Sequence, residues 1–190
     1  GANHPCRLSN TYYFYRSGLT GVLVEPDPHL FSELKRKRPH DIILNCGVSV
    51  DGATDKQTLY IMSANVLNTF SLEEAERIQS STPYHIVNSL EVDVLPVNKI
   101  IDLYIANTSF FMSIDVEGLD QQILHQINFS MFRPLLIVVE TLTFDPPAGG
   151  QKISSIIDFM ISQNYFVFAD TRCNTIFVDS SRFKDHVKIS

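Results

Sequence analysis

Phe110-Phe111-Met112-Ser113-Ile114-Asp115 is apolar until it stops on an acid, and Val116-Glu117-Gly118 then turns the chain into a helical stretch from about Leu119 to Gln126. A short apolar run, a strand-end carboxylate, a turn and a helix together make a βα unit. In open α/β sheets, ligands bind beyond the carboxyl ends of the strands, so the acid at this boundary marks a place for chemistry. The same succession recurs upstream. Gly21 to Glu25 runs into Pro26-Asp27-Pro28 and then into helical spacing from His29 to Lys37, which Pro39 closes. Asp41 to Leu44 is a second apolar strand ending in Asn45-Cys46-Gly47. Thr58 to Met62 alternates like a strand, and Ser71 to Glu74 has capping-box spacing that opens a helix through Ile78. Gln79 to Pro83 reads as a loop, Ile86 to Leu95 as extended chain, and Pro96 as the first turn of a helix through Ala106.

Downstream, Pro134 to Val139 is a continuous apolar run ending on Glu140, the pattern of a strand buried on both faces of a mostly parallel sheet. A loop with Pro146, Pro147, Gly149 and Gly150 follows, then an amphipathic helix from Ile153 to Ser162. Tyr165 to Ala169 and Thr175 to Val178 are strands so closely spaced that they must form an antiparallel hairpin. The expected class is therefore α/β, a doubly wound, mostly parallel, Rossmann-like sheet with a C-terminal antiparallel hairpin, in one domain over residues 1–190.

Composition agrees. A chain of 190 residues with 44% hydrophobic content can bury one sizeable core and is too short for two. A net charge of −6 argues against holding a phosphate backbone, so nucleic acid is excluded as a partner. The one basic run, Lys35 to Arg38, reads as a solvated helix end whose cations complement the helix dipole. Cys6, Cys46 and Cys173 are too few and too scattered for a disulfide framework or zinc site; they read as small apolar fillers in a reducing, cytoplasmic setting. No apolar run approaches the roughly 20 residues that span a bilayer.

The polar residues at the strand ends are the candidate site. Gly1-Ala2-Asn3-His4-Pro5 reads as a turn after a strand, where small residues let a ligand approach the backbone. Glu25 follows it at close to the ~20-residue separation at which an acid reaches ribose hydroxyls in nucleotide-binding folds. Asn45, Cys46 and Gly47 occupy the place where adenine is met, or make an ordinary turn. Asp115 and Glu117 put two carboxylates at the mouth of the crevice. They can orient a cation, take a proton from a hydroxyl, bind a divalent cation or merely cap a helix. Glu140, at the end of the next strand, stands beside Asp115 as a third carboxylate for a base or metal site. His4 is the one histidine in a candidate ligand loop.

Eight phrases add a resemblance. Gly1-Ala-Asn-His-Pro5, Ser9-Asn-Thr-Tyr12, Val24-Glu-Pro26, Arg38-Pro39, Leu67-Asn-Thr-Phe-Ser71, Ser113-Ile-Asp-Val-Glu-Gly118, Arg133-Pro134 and Asn174-Thr-Ile-Phe177 occur in the order seen in FkbM-type methyltransferases. The chain resembles that family from Gly1 to about Asp179. The resemblance implies a methyltransferase-type sheet, S-adenosylmethionine as donor, and transfer to a hydroxyl of a small-molecule or glycan acceptor, commonly a sugar or polyketide-like metabolite. It places Gly1, Ala2 and Asn3 near the methionine end, Glu25 with Pro26 on the ribose, and Asp115 at the crevice. Asp115, Glu117, Glu140 and His4 are the catalytic candidates, and a divalent cation such as magnesium, if used, would be held by Asp115, Glu117 and Glu140. Family members carry an apolar strand ahead of the Gly-Ala-Asn turn, so the first central strand is expected to be absent from this chain, which is then N-terminally incomplete. Two rivals remain: a nicotinamide-dependent oxidoreductase, which lacks a Gly-x-Gly-x-x-Gly loop here, and a non-catalytic or truncated module of the same fold. The acceptor and the oligomeric state are not encoded in these motifs.

Overall fold

In a computed structural model, residues 1–105, 110–143 and 149–186 are described. They fall into two units, Gly1–Ile105 with Val116–Gln126, and Ala106–Asp115 with Ile127–Ser190. The first unit begins with Tyr12–Arg16 (α1), a helix with no buried residue of its own. Val22–Val24 (β1) then pairs in parallel with Ile42–Leu44 (β2), Leu23 lying opposite Ile43. Between them runs Pro28–Lys37 (α2). Asp27 caps it by accepting the His29 N–H, with Pro28 in the first turn, where its missing donor costs nothing. Leu30 and Leu34, one turn apart, are the buried stripe of this helix.

Gly47–Val48 (β3), Asp55–Met62 (β4) and Ile86–Leu95 (β5) form a three-stranded sheet in the order β3-β5-β4, with β4 antiparallel to β5. β4 starts at Asp55, three residues before the alternating Thr58–Met62 pattern, because its outer end is exposed and polar. Leu72–Ser81 (α3) starts where the capping box predicts, the Ser71 side chain accepting the Glu74 N–H at 3.1 Å. The helix runs three residues beyond Ile78. Gln79 to Ser81, expected in a loop, close its last turn, with the Ser80 and Ser81 hydroxyls donating to the Arg77 carbonyl. Val97–Tyr104 (α4) buries Val97, Ile100 and Ile101 and has Pro96 as its N-cap, one position before the expected first turn. The expected end at Ala106 lies outside the described residues. Asp120–Gln126 (α5) buries Ile123 and Leu124, and the Asn98 side chain donates to the Gln126 carbonyl.

The second unit is a four-stranded sheet in the order β6-β7-β9-β8, made of Phe111–Ile114 (β6), Leu136–Glu140 (β7), Tyr165–Asp170 (β8) and Asn174–Asp179 (β9). β6 and β7 are parallel, and β9 is antiparallel to both β7 and β8. The expected hairpin is the β8–β9 pair. Ile137 and Val139 are sealed from solvent and Val138 nearly so, which is why β7 reads as an unbroken apolar run. Ser154–Ser162 (α6) buries Ile156 and Met160. Ser180–His186 (α7) follows β9 directly. Pro146 and Pro147 lie outside the described residues.

Among the described residues the architecture is mixed α/β with three sheets. Its pairs are parallel for β1–β2, β3–β5 and β6–β7 and antiparallel for β4–β5, β7–β9 and β8–β9. The antiparallel share is larger than a mostly parallel sheet implies, because β5 pairs antiparallel with β4 as well as parallel with β3, and β9 returns antiparallel between β7 and β8.

Candidate functional site

In the first unit, the turn at Gly1 to Asn3 and the acid at Glu25 come together. The Ala2 N–H donates to the Val24 carbonyl at 3.0 Å, on the edge of β1 away from β2. The Asn3 N–H donates to Glu25 Oε2 at 2.7 Å, while Glu25 Oε1 takes the Asp27 N–H at 3.0 Å. Glu25 is 4% exposed. That burial raises its pKa, opposed in part by the ammonium at Gly1 and then by the two backbone donors.

The turn is fixed on its other side as well. Asn3, at φ 49°, donates through Nδ2 to the Asn65 carbonyl and accepts the His4 N–H on Oδ1. Asn68 donates to Asp27 Oδ2 at 3.2 Å and accepts the Met62 N–H. Asp27, Asn65 and Asn68 were not among the candidates read from sequence. The Asp-Pro pair before α2 is an N-cap signal that could have flagged Asp27. Nothing local announces that Asn68 reaches Asp27 or that Asn65 meets Asn3. His4 accepts the Cys6 and Arg7 N–H groups on Nδ1, which leaves Nε2 alone for chemistry.

At the end of β2, the Asn45 amide donates to the Glu25 and Pro26 carbonyls at 2.9 and 3.1 Å. Asn45 and Cys46 also line a cleft of about 610 Å³ with Ile43, Lys56 and Asp93, a volume in the range of small-molecule sites. Burial, and secondarily Asp93, push the Cys46 thiol up to about 11, so it is a neutral filler, as composition suggested. Gly47 has a steric reason: a Cβ there would stand 2.4 Å from the Phe70 ring.

In the second unit, Ile114 and Val139 are register partners on parallel strands. The next residues, Asp115 and Glu140, bring carboxylate oxygens within 4.8 Å of each other. Glu140 is the register partner of Asn174 on β9, and Asn174 Oδ1 is buried with no hydrogen-bond partner among the described residues. Behind Glu140, the buried hydroxyls of Thr141 and Thr175 bond at 2.6 Å. Lys152 Nζ bonds both, at 2.7 and 3.2 Å, and pairs with Asp170 at 2.8 Å. The bridge Leu142↔Lys152 closes the base of the segment that carries Gly149 and Gly150. Thr141, Lys152, Asn174 and Thr175 were not among the candidate site residues, because they meet only through the β7–β9 register and the Leu142↔Lys152 bridge.

Glu117 belongs to the first unit. It adopts φ 52° ahead of Gly118 at φ 93°, and its carbonyl accepts the Thr69 hydroxyl at 3.2 Å. This left-handed pair makes the sharp turn after Asp115, and Asp120 holds it by accepting the Val116 N–H.

Residues 1–167 match the family model of the methyltransferase FkbM domain. The chain belongs to the FkbM methyltransferase family. Neither the curated proteins nor the solved structures yield a match. The assignment makes this a methyltransferase domain, and S-adenosylmethionine is the donor that the family implies. The donor set of the FkbM domain suits that group: a strand-end carboxylate, a small-residue turn bonded to it, and an open groove at the end of the next strand. Among the described residues, no helix is long and apolar enough to cross a membrane.

Proposed function

We propose that this FkbM domain is an O-methyltransferase that moves the methyl group of S-adenosylmethionine to a hydroxyl of a sugar or polyketide-like acceptor. The observation that carries the reading is the carboxylate pair Asp115 and Glu140 at adjacent strand ends. When bound, S-adenosylmethionine supplies a methyl group activated by its sulfonium. An alcohol is a weak nucleophile until its proton begins to leave, so a positioned base is needed. Asp115, with Glu140 beside it, takes the hydroxyl proton as the oxygen–carbon bond forms and the carbon–sulfur bond breaks. Much of the rate then comes from holding donor and acceptor in line.

Glu25 would accept the ribose hydroxyls, Gly1 to Asn3 would hold the methionine end, and Asn45 and Cys46 would line the adenine side. A divalent cation, where used, would find hard oxygen ligands in Asp115 and Glu140; Asn174 Oδ1, buried and unpartnered on the neighbouring strand, is a donor of the same kind. The three cysteines are free, which suits a reducing cytoplasm.

Transfer of labelled methyl groups to a panel of glycans and hydroxylated metabolites tests the reading. Label in an ether linkage supports it, and label in amine or carboxylate products alone overturns the hydroxyl assignment. Chelation separates base from metal. Activity that disappears with chelator and returns with magnesium assigns the carboxylates to a cation.

A further inference from the structure

Arg38 ends the basic run after α2, where the sequence pattern calls for a solvated cation. In the fold it is 3% exposed. Its Nε donates to Asp41 Oδ2 at 2.6 Å, and the Asp41 side chain is fully buried. Its Nη1 donates to Thr11 Oγ1 at 2.7 Å and to Ser9 Oγ at 3.4 Å, and its guanidinium lies 5.0 Å from the centre of the Tyr15 ring. Asp41 closes the network by accepting the Gly21 N–H at 2.8 Å. A planar fork with several donors can serve all these partners at once, which a lysine ammonium cannot.

The segment that Arg38 grips meets the body of the unit through polar and ring contacts, Tyr15 also stacking on His40 with ring centres 6.2 Å apart. α1 buries no residue, Leu8 is 92% exposed and Tyr13 77%. Within residues 8–16, Tyr12, Phe14 and Tyr15 are half-buried and none is fully enclosed, so the Arg38 hydrogen bonds to Ser9 and Thr11 add a fixed polar anchor. The near end of the same stretch is the Gly1–Asn3 turn, tied to Glu25 and Asn65, and His4 stiffens the chain between by capping Cys6 and Arg7. The segment is pinned at Asn3 and pinned again at Ser9 and Thr11.

We infer that Arg38 is a positioning residue for the cofactor loop: by holding Ser9 and Thr11 it fixes the far end of the loop whose near end receives the amino-acid part of the donor. The inference rests on the cofactor reading above. It also connects Ser9-Asn-Thr-Tyr12 and Arg38-Pro39, two phrases distant in sequence, as halves of one network. A loop held in its binding geometry before the ligand arrives spares the ordering cost at binding.

The test uses the full-length chain and two ligands, S-adenosylhomocysteine and 5′-methylthioadenosine, which lacks the amino-acid end. In the double variant Ser9→Ala/Thr11→Val the buried Arg38–Asp41 pair stays intact, so the fold is kept. Calorimetry is expected to show S-adenosylhomocysteine bound about tenfold more weakly, with 5′-methylthioadenosine changed by less than about twofold and the unfolding midpoint within about 2 °C of wild type. Arg38→Lys, which keeps the charge and loses the fork, should show the same split between ligands. Unchanged affinity for S-adenosylhomocysteine in the double variant overturns the inference, and so does equal weakening of both ligands with a lowered midpoint, the mark of a general structural role. A wild-type chain that binds neither ligand removes the cofactor reading itself, and the inference falls with it.

Discussion

The end of β1 and the paired ends of β6 and β7 carry the same sequence signature, an apolar run stopped by an acid, yet the two regions treat that acid in opposite ways. Glu25 is 4% exposed and both its oxygens are bonded to backbone N–H groups. Asp115 and Glu140 are only partly buried and stand within 4.8 Å of each other, carboxylate against carboxylate. The first arrangement makes a fixed acceptor that shapes a turn. The second sets two carboxylates side by side at neighbouring strand ends, hard oxygen donors on one sheet edge. The signature therefore marks a strand end, while the neighbours decide how buried the acid is and which groups it meets.

The sharpest way to break the comparison is Asp115→Asn. If Asp115 is the base, turnover should fall by at least about 10²-fold, with S-adenosylhomocysteine affinity unchanged by calorimetry. Turnover equal to wild type would assign the proton elsewhere. Glu25→Ala comes next and should act in the opposite sense. It leaves the Asn3 and Asp27 N–H groups without their acceptor, so denaturant unfolding should show a loss of about 2 kcal/mol, together with weaker binding of the same ligand. Full binding and stability would mean that the turn holds itself.

Smaller effects sharpen the contrast. Lys152→Met removes the hydrogen bond that, more than any other cause, holds the exposed Asp170 carboxylate below its ordinary pKa. Carboxyl-resolved NMR titration should find Asp170 returning toward that ordinary value. Unfolding should show a cost of about 1 kcal/mol, from the lost bonds to the buried Thr141 and Thr175 hydroxyls more than from the solvent-exposed pair. The smallest effect is the pH dependence contributed by Glu25. Burial raises its folded pKa, so the native state binds a proton more readily than the unfolded chain does. Stability from this group is therefore fully present below the unfolded glutamate pKa and declines as pH rises through the folded one. In Glu25→Gln that decline should vanish from stability curves taken across the acid range. An unchanged slope would place the buried charge elsewhere.

Much of the fold was legible because it depends on local spacing. The capping box at Ser71 and Glu74, the Asp27-Pro28 start of α2, the apolar run of β7 and the closely spaced β8 and β9 each follow from residues a few positions apart. The three-residue extension of α3 was missed because serines close its last turn by bonding a carbonyl behind them, a choice that polar composition does not distinguish from a loop. α1 was missed because so short a helix, with no buried face, has no periodicity to read.

For the site, the sequence by itself determined which acids stand at strand ends and, through ordered motifs, the family to which the chain belongs. An apolar run that stops on a polar residue is a local event, and strand termini sit at the ligand-binding edge of such sheets. Only the tertiary structure decided that Arg38 is buried, that Asn3 is held by Glu25, and that Asn174 lies against Glu140. Those facts depend on strand register and on contacts between residues dozens of positions apart. The reason is physical: a side chain's charge and hydrogen-bonding capacity are intrinsic to the residue, whereas its desolvation and its partners belong to the fold.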